Sequence, residues 1–302
     1  MGKATTIGPG HRRSAWHSCG TSALLLLALL APATARAQDD SLLGLGIEVH
    51  GFASQGFIYT TDNQFLARSE QGSFEFSEVG INFTKTLTDK LRVGIQLFSR
   101  DLGPIGNYGA EFDWYYVDYR FFDWFGLRVG RTKVPGGLYN ETSDIDAARA
   151  PILLPQSIYP VENRDILLAQ TGVDIYGYLP LGGLGALDYR VFGGAIHYEP
   201  PVVEANIEYS VPYTVGARAQ WFTPIEGLSL AISGIQLQVD QKATFEPEDV
   251  ETLKMLGFLS PENEGHLENE IPIAAWTASI EYSAHNLLLA AEYSRTRMDL
   301  EM

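Results

Sequence analysis

The chain has one cysteine in 302 residues, Cys19, and no apolar run long enough to cross a bilayer as a helix. A spanning helix needs about 20 apolar residues. The longest run, Ala23 to Leu30, stops at Pro32. Because Cys19 lies upstream of that run, neither disulfides nor thiolate metal sites are expected beyond it. Basic residues are also scarce, 21 Lys and Arg against 37 Asp and Glu. Nucleic-acid phosphates are held through Lys and Arg, so nucleic-acid partners are set aside.

What is present begins with a leader. Lys3, Arg12 and Arg13 precede the short apolar run, and Ala35-Arg36-Ala37 follows it. A positive start, a short apolar segment and a small-x-small site are the three parts of a secretory signal. Residues 1–37 are therefore read as a cleaved signal peptide and 38–302 as the exported barrel. The leader carries Lys3, Arg12, Arg13 and Arg36 and no acid, leaving 17 basic residues against 37 acidic ones and a net charge of −20. Mean hydropathy of −0.04 decides nothing, because a wall with one lipid face and one wet face gives the same value as a soluble protein.

Alternation with period 2 recurs in eleven runs, roughly 46–60, 74–87, 91–97, 111–121, 125–134, 168–179, 185–197, 213–221, 227–238, 274–282 and 287–297. In one of them Tyr213, Val215, Ala217, Ala219 and Trp221 oppose Thr214, Gly216, Arg218 and Gln220. A phase slip near Gly234, where Ile232 and Ile235 are three apart, predicts a bulge. Links after even-numbered runs are a few residues long. Links after odd-numbered runs are long, about 61–73, 98–110, 135–167, 198–212 and 239–270. Short turns on one side and long loops on the other predict a transmembrane antiparallel up-and-down β-barrel, all-β. Aromatics beside the short turns, such as Phe121, Phe122, Trp124, Phe125, Trp221 and Phe222, fit an interfacial girdle. Eleven is odd, and the chain ends on Arg297-Met298-Asp299-Leu300-Glu301-Met302 without a closing apolar strand. The expectation is thus an incomplete barrel of about 11–12 strands, truncated at its C-terminus, where about 16 would leave an aqueous channel.

The third long link suits a folded loop. Gly136 and Gly137 allow a sharp turn, Pro151, Pro155 and Pro160 stiffen it, and Ile152, Leu153 and Leu154 need burial. Its polar residues Glu141, Asp144, Asp146, Arg149, Glu162, Arg164 and Asp165 are candidates for a pore constriction, or else cap a short helix at 144–149 and pair with one another. Strand phase turns Glu78, Arg92, Asp118, Arg120, Arg128, Asp174, Asp188, Arg190, Arg218 and Glu281 toward the lumen. Opposed acids and bases across a wet pore would favour hydrated, dipolar solutes over greasy ones. The same residues also read as salt bridges that hold the wall. Link 239–270 carries nine acids (Asp240, Glu246, Glu248, Asp249, Glu251, Glu262, Glu264, Glu268 and Glu270), with a helix expected from Pro247 to about Gly257. It reads as a solvated loop before a divalent-cation bridge to surface glycolipid, since no calcium-loop spacing appears. No metal, cofactor or catalytic residue is expected.

Tyr116-Val117-Asp118-Tyr119-Arg120, a short turn, and Leu127-Arg128-Val129-Gly130-Arg131-Thr132-Lys133-Val134-Pro135-Gly136-Gly137-Leu138-Tyr139 resemble the strand 4, turn and strand 5 pattern of Gram-negative outer-membrane porins related to the phosphate-selective porin superfamily. Specific motifs cover about 111–178. The resemblance implies a 16-stranded, usually trimeric, solute-conducting barrel whose third loop folds inward. Phosphate selectivity does not carry over, because the lumen charges are mixed and the third loop is net acidic. The reading is a porin for ions and small hydrophilic solutes in the cell outer membrane, expected to be a homotrimer contacting lipid and surface glycolipid. Two other classes stay open: a non-conducting barrel acting as adhesin or structural anchor, and an outer-membrane hydrolase. Against the latter, His50, His197, His266 and His285 stand beside no nucleophile motif.

Overall fold

A computed structural model describes residues 44–145, 148–162, 164–197, 207–257, 260, 262 and 264–298. The signal segment and the last four residues lie outside them. The eleven alternating runs form eleven strands: β1 (Glu48–Gln55), β2 (Ser77–Thr88), β3 (Leu91–Asp101), β4 (Ala110–Phe122), β5 (Phe125–Lys133), β6 (Ala169–Pro180), β7 (Ala186–Ile196), β8 (Ile207–Phe222), β9 (Leu228–Thr244), β10 (His266–Ala284) and β11 (Leu287–Met298). Every strand pairs antiparallel with its neighbour in sequence, in the order β1 to β11, so this is an all-β up-and-down sheet. No described helix is long and apolar enough to cross a membrane. Among the described residues β1 and β11 are the sheet's two edges.

Connections alternate strictly between short and long. His285 and Asn286 alone join β10 to β11, both at positive φ, 56° and 60°, which makes a two-residue type I′ turn. By contrast residues 134–163 and a one-turn helix, α1 (Arg164–Leu168), lie between β5 and β6. This long loop proves that the sheet is curled. Tyr159 Oη donates to Glu292 on β11, and two residues on, the Val161 carbonyl accepts from Arg100 on β3, at 3.0 Å. In a flat sheet those strands, eight apart in the order, would lie about 38 Å from each other. Two residues of chain span only about 7 Å. The wall therefore wraps around the loop.

Its two faces are inverted relative to a soluble protein. Val79, Ile81, Tyr115, Val117, Tyr119, Val129, Val173, Ile175, Val191, Val215, Ile232 and Ile280 are all exposed, on alternate residues of their strands. Thr84, Gln96, Asp118, Thr132, Gln170, Asp174, Arg190 and Thr214 are buried on the other face. Aromatic rings close the turn end of the apolar band, Phe122 and Trp124 stacking at 5.5 Å and Phe121 and Phe125 at 5.1 Å. Such rings prefer the headgroup level.

Several expected boundaries shift. β9 and β10 run on through 239–244 and 266–270, so the acidic link shrinks to 245–265, and Asp240, Glu268 and Glu270 belong to strands. The helix expected there is present as α2 (Pro247–Met255). β3 continues to Asp101 and β8 starts at Ile207, shortening two further links. No bulge occurs at Gly234, which pairs in unbroken register with Ala217 and Trp276. The slip has another cause. Ile235, Leu237 and Val239 turn inward, Leu237 and Val239 into an apolar cluster with Ile196 and Val211, while Gln236 and Lys242 face out. β9 thus rises above the apolar band with its phase unbroken, and there its apolar side chains move from the outer face to the inner one.

Ala217, at the middle of the outward run Tyr213 to Trp221, is expected to tolerate no charge in a bilayer. Ala217→Arg should cost about 2–4 kcal/mol in reversible unfolding from lipid vesicles, and Gln236→Arg about 0–1 kcal/mol. Equal costs would show that Ala217 meets water.

Candidate functional site

The inner wall and the loop meet through neutral sets of buried charge. Asp113 and Asp144, 1% and 3% exposed, both face Arg164, whose Nη2 lies 2.7 Å from Asp113 and 3.7 Å from Asp144. Gln96 Nε2 donates to both carboxylates, at 2.7 and 3.2 Å, and Lys133 Nζ donates to Asp144 at 2.7 Å. The Arg164 guanidinium also stacks over the Phe98 ring at 4.2 Å. Two acids and two bases leave no net charge in this set. Burial by itself would raise the Asp144 carboxyl, but Lys133 and Arg164 outweigh it and hold it below the ordinary carboxylate range.

A second set centres on Arg190, which binds Asp174 of β6 and Glu141 of the loop, while Arg218 reaches Glu141 at 3.6 Å. Arg190 and Arg218 are direct cross-strand partners. Like charges so placed repel, and the two carboxylates offset them. Thr132 Oγ1 and Gln170 Nε2 donate to Asp174, each at 2.9 Å. A third set is Asp118 with Arg128 at 2.9 Å, the guanidinium lying between Tyr116 and Tyr176 at 4.6 and 5.2 Å. Opposite charges are therefore adjacent, the arrangement of salt bridges that brace the wall.

On its far side the loop is latched to β9, β10 and β11. Gly137 N–H donates to Ser233 Oγ at 3.0 Å, Leu138 N–H to Glu292 at 2.9 Å, and Tyr139 Oη to Glu281 at 3.1 Å. Burial and that bond push the Tyr139 hydroxyl up to about 12, and the same causes raise Tyr159. Gly137 sits at φ 54°, and a Cβ there would meet Tyr159 Oη at 2.2 Å, so only glycine allows this approach.

Of the loop residues singled out by sequence, Asp144 and Arg164 are central, Glu141 bridges two arginines, and Asp165 pairs with Arg100 at 3.4 Å. Arg149 is bound to its own loop, to the carbonyls of Ser143, Pro151 and Ile152. Glu162 is exposed, and Asp146 lies outside the described residues. A short helical turn occupies Asn140–Thr142, the helix expected at 144–149 includes residues outside those described, and Ile152 is exposed where burial was expected. Of the strand residues, Glu281 holds the latch, Glu78 borders a small hollow beside Asp144, and Asp188 neighbours Glu141, Arg190 and Arg218. Arg92, paired with Glu48 at 4.0 Å, and Arg120 stay open to water near the short turns.

Sequence reading missed Asp113, because a bulge makes it the extra residue between Phe112 and Trp114 and flips the phase of β4. It also missed Arg100, Lys133, Tyr159 and Glu292. Arg100 continues the polar phase of Arg92 and Gln96, and that is the signal that could have found it. His50 lies on β1, His197 just after β7, His266 at the start of β10 and His285 in the β10–β11 turn.

No family model matches the chain, and no curated protein does. Among solved structures it is similar to OmpTdeltaL8, a loop L8 deletion mutant of OmpT, an outer membrane protein of Vibrio cholerae, at 9% identity and a TM-score of 0.30, covering 84% of this chain and 95% of that one. It is also similar to a multiply substituted mutant of Rh. blastica porin, at 11% identity and a TM-score of 0.29, covering 83% of this chain and 97% of that one. Likenesses this loose say nothing of function.

Arg164→Met would leave buried carboxylates short of a counter-charge, and should destabilise the protein by about 3–5 kcal/mol in urea titrations. A loss under about 1 kcal/mol would mean that water reaches this set. Since the folded Asp144 sits below its unfolded value, its contribution is complete above the ordinary carboxylate range and is lost as pH falls through the lower folded value. The thermal midpoint should drop below about pH 4. Asp144→Asn should start lower and change less with pH, and a parallel curve would assign the acid sensitivity elsewhere.

Proposed function

We propose that this chain is an exported outer-membrane porin, a water-filled wall through which ions and small hydrophilic solutes diffuse passively, narrowed by its third loop, residues 134–168. One observation carries the reading: apolar residues face outward on strand after strand, while paired charges and hydroxyls occupy the inside. A soluble sheet buries the first and exposes the second. In a bilayer this inverted pattern presents hydrocarbon to lipid, while strand pairing satisfies the backbone on both sides of β2 to β10.

The interior supplies the rest of the proposal. Near the short turns Arg92, Glu48 and Arg120 line a wet vestibule. Beyond it the loop meets the wall at the Asp113 and Arg190 sets, whose members are too well paired to select strongly by charge. Glu141 is the exception. Its side chain is 37% exposed while facing two arginines, and it is the acid best placed to weigh on a passing ion. The binding of lipid and surface glycolipid outside, and assembly as a homotrimer, belong to the same proposal, as does the absence of catalysis.

Planar-bilayer recording of the purified chain should give ohmic current steps. Glu141→Gln should shift the reversal potential toward anions, more in 0.1 M than in 1 M salt, because screening shortens from about 10 Å to about 3 Å. Bilayers that stay silent would favour the non-conducting anchor, and an unchanged reversal potential would remove Glu141 from the path.

A further inference from the structure

The interior is not charged throughout. Between the loop and β9–β11 lies a cavity of about 410 Å³ whose lining contains no Asp, Glu, Lys or Arg. Ile158 and Ile166 of the loop and Phe192, Ile235, Leu237 and Ile273 of the wall form most of it. Its polar groups are neutral, chiefly the hydroxyls of Ser294 and Thr296 on β11 and the Asn140 amide. Leu228–Val239, the wall behind it, carries no charged residue. The inward turn of Ile235 and Leu237 made this chamber apolar, and it is the same exchange of faces that looked like a bulge in the sequence.

The geometry points to a binding site for a neutral, largely apolar small molecule, of the size of two or three fused or linked rings, with one hydroxyl or carbonyl turned to the β11 hydroxyls. The volume sets the size, since a closed apolar cavity of about 150 Å³ accommodates benzene, and ligand sites begin near 300 Å³. The lining sets the chemistry. A neutral ring gains by leaving water for this surface. A carboxylate would surrender its hydration with no guanidinium or ammonium to receive it. A solute of this class is the reverse of what the charged half of the interior suits, so the chamber is a separate site. The assignment does not rest on conduction.

Binding of 1-naphthol to the full chain in detergent micelles, followed by saturation-transfer NMR, tests it. Saturable binding is expected, with 1-naphthoate at least about tenfold weaker because its charge must be buried unpaired. Ala275→Trp fills the cavity from β10 and should abolish the saturable component while leaving unspecific partition into the micelle unchanged. Thr296→Trp fills it from β11 and should do the same, with heat-modifiable migration on gels identifying folded protein. Equal affinity for naphthoate, or full naphthol affinity in either folded variant, overturns the site.

Discussion

Electroneutrality of buried charge holds the molecule together, and Arg164 is where it is decided. Asp113 enters the interior on a bulge of β4, and Asp144 enters on the loop. Neither carboxylate is tolerable there alone, because burying an unpaired charge costs several kcal/mol. The guanidinium between them, backed by Lys133, makes the set neutral and fixes the loop against β3, β4 and β5 at once. Apolar burial adds to this anchoring without explaining its position: Leu154, Tyr159 and Leu168 are covered, yet Ile152, just before them in the chain, stands in the open. The loop lies where its charges are answered.

The outer face obeys the opposite requirement, and the two requirements together give the strands their length. Nine residues from Tyr213 to Trp221 carry the outward apolar run of β8, close to the 9–11 that a tilted strand needs to cross hydrocarbon. β9 and β10 are much longer, 17 and 19 residues. Beyond the band their outward positions become Gln236, Lys242, Glu268 and Glu270, with Lys242 and Glu268 paired at 3.0 Å. Sheet hydrogen bonding carries on through this change unaltered, since the backbone ladder is indifferent to which face is wet. Only the side chains register where the apolar band ends.

That distinction explains what was legible in the sequence. Strand number, order, the alternation of short and long links and the outward residues all follow from period 2 and link length, and all could be read. The ends of β9 and β10 could not, because polar outward residues above a membrane look like a loop when only the apolar band is sought. Ile232 and Ile235 looked like a broken phase for the same reason. In the interior, Asp118, Arg128, Asp174 and Arg190 lie on stretches of strand whose phase is unbroken, and phase alone points them to one face. Asp113 escaped because one inserted residue moved it across. Which acid meets which base was beyond reach, since the partners lie far apart in the chain, 65 residues for Arg100 and Asp165 and more for Glu141 and Arg218.

The loop divides what it fills. Toward β3–β8 it presents Asp144, Arg164, Asp165 and Glu141 to a wall of arginines, lysine and acids. Toward β9 and β10 it presents Ile158, Ile166 and the backbone amides of Gly137 and Leu138. A segment with charges on only one side needs a partner surface of each kind, and the inward exchange of Ile235 and Leu237 supplies the apolar one. The latch to Glu281 and Glu292 then has a clear part to play. Tyrosine hydroxyls, a serine hydroxyl and the Leu138 N–H donate to those two carboxylates, which are only half-buried, so the β9–β11 side is closed by neutral donors. Ionic contacts are thereby confined to one half of the interior, and the other half keeps the low polarity on which an uncharged occupant depends.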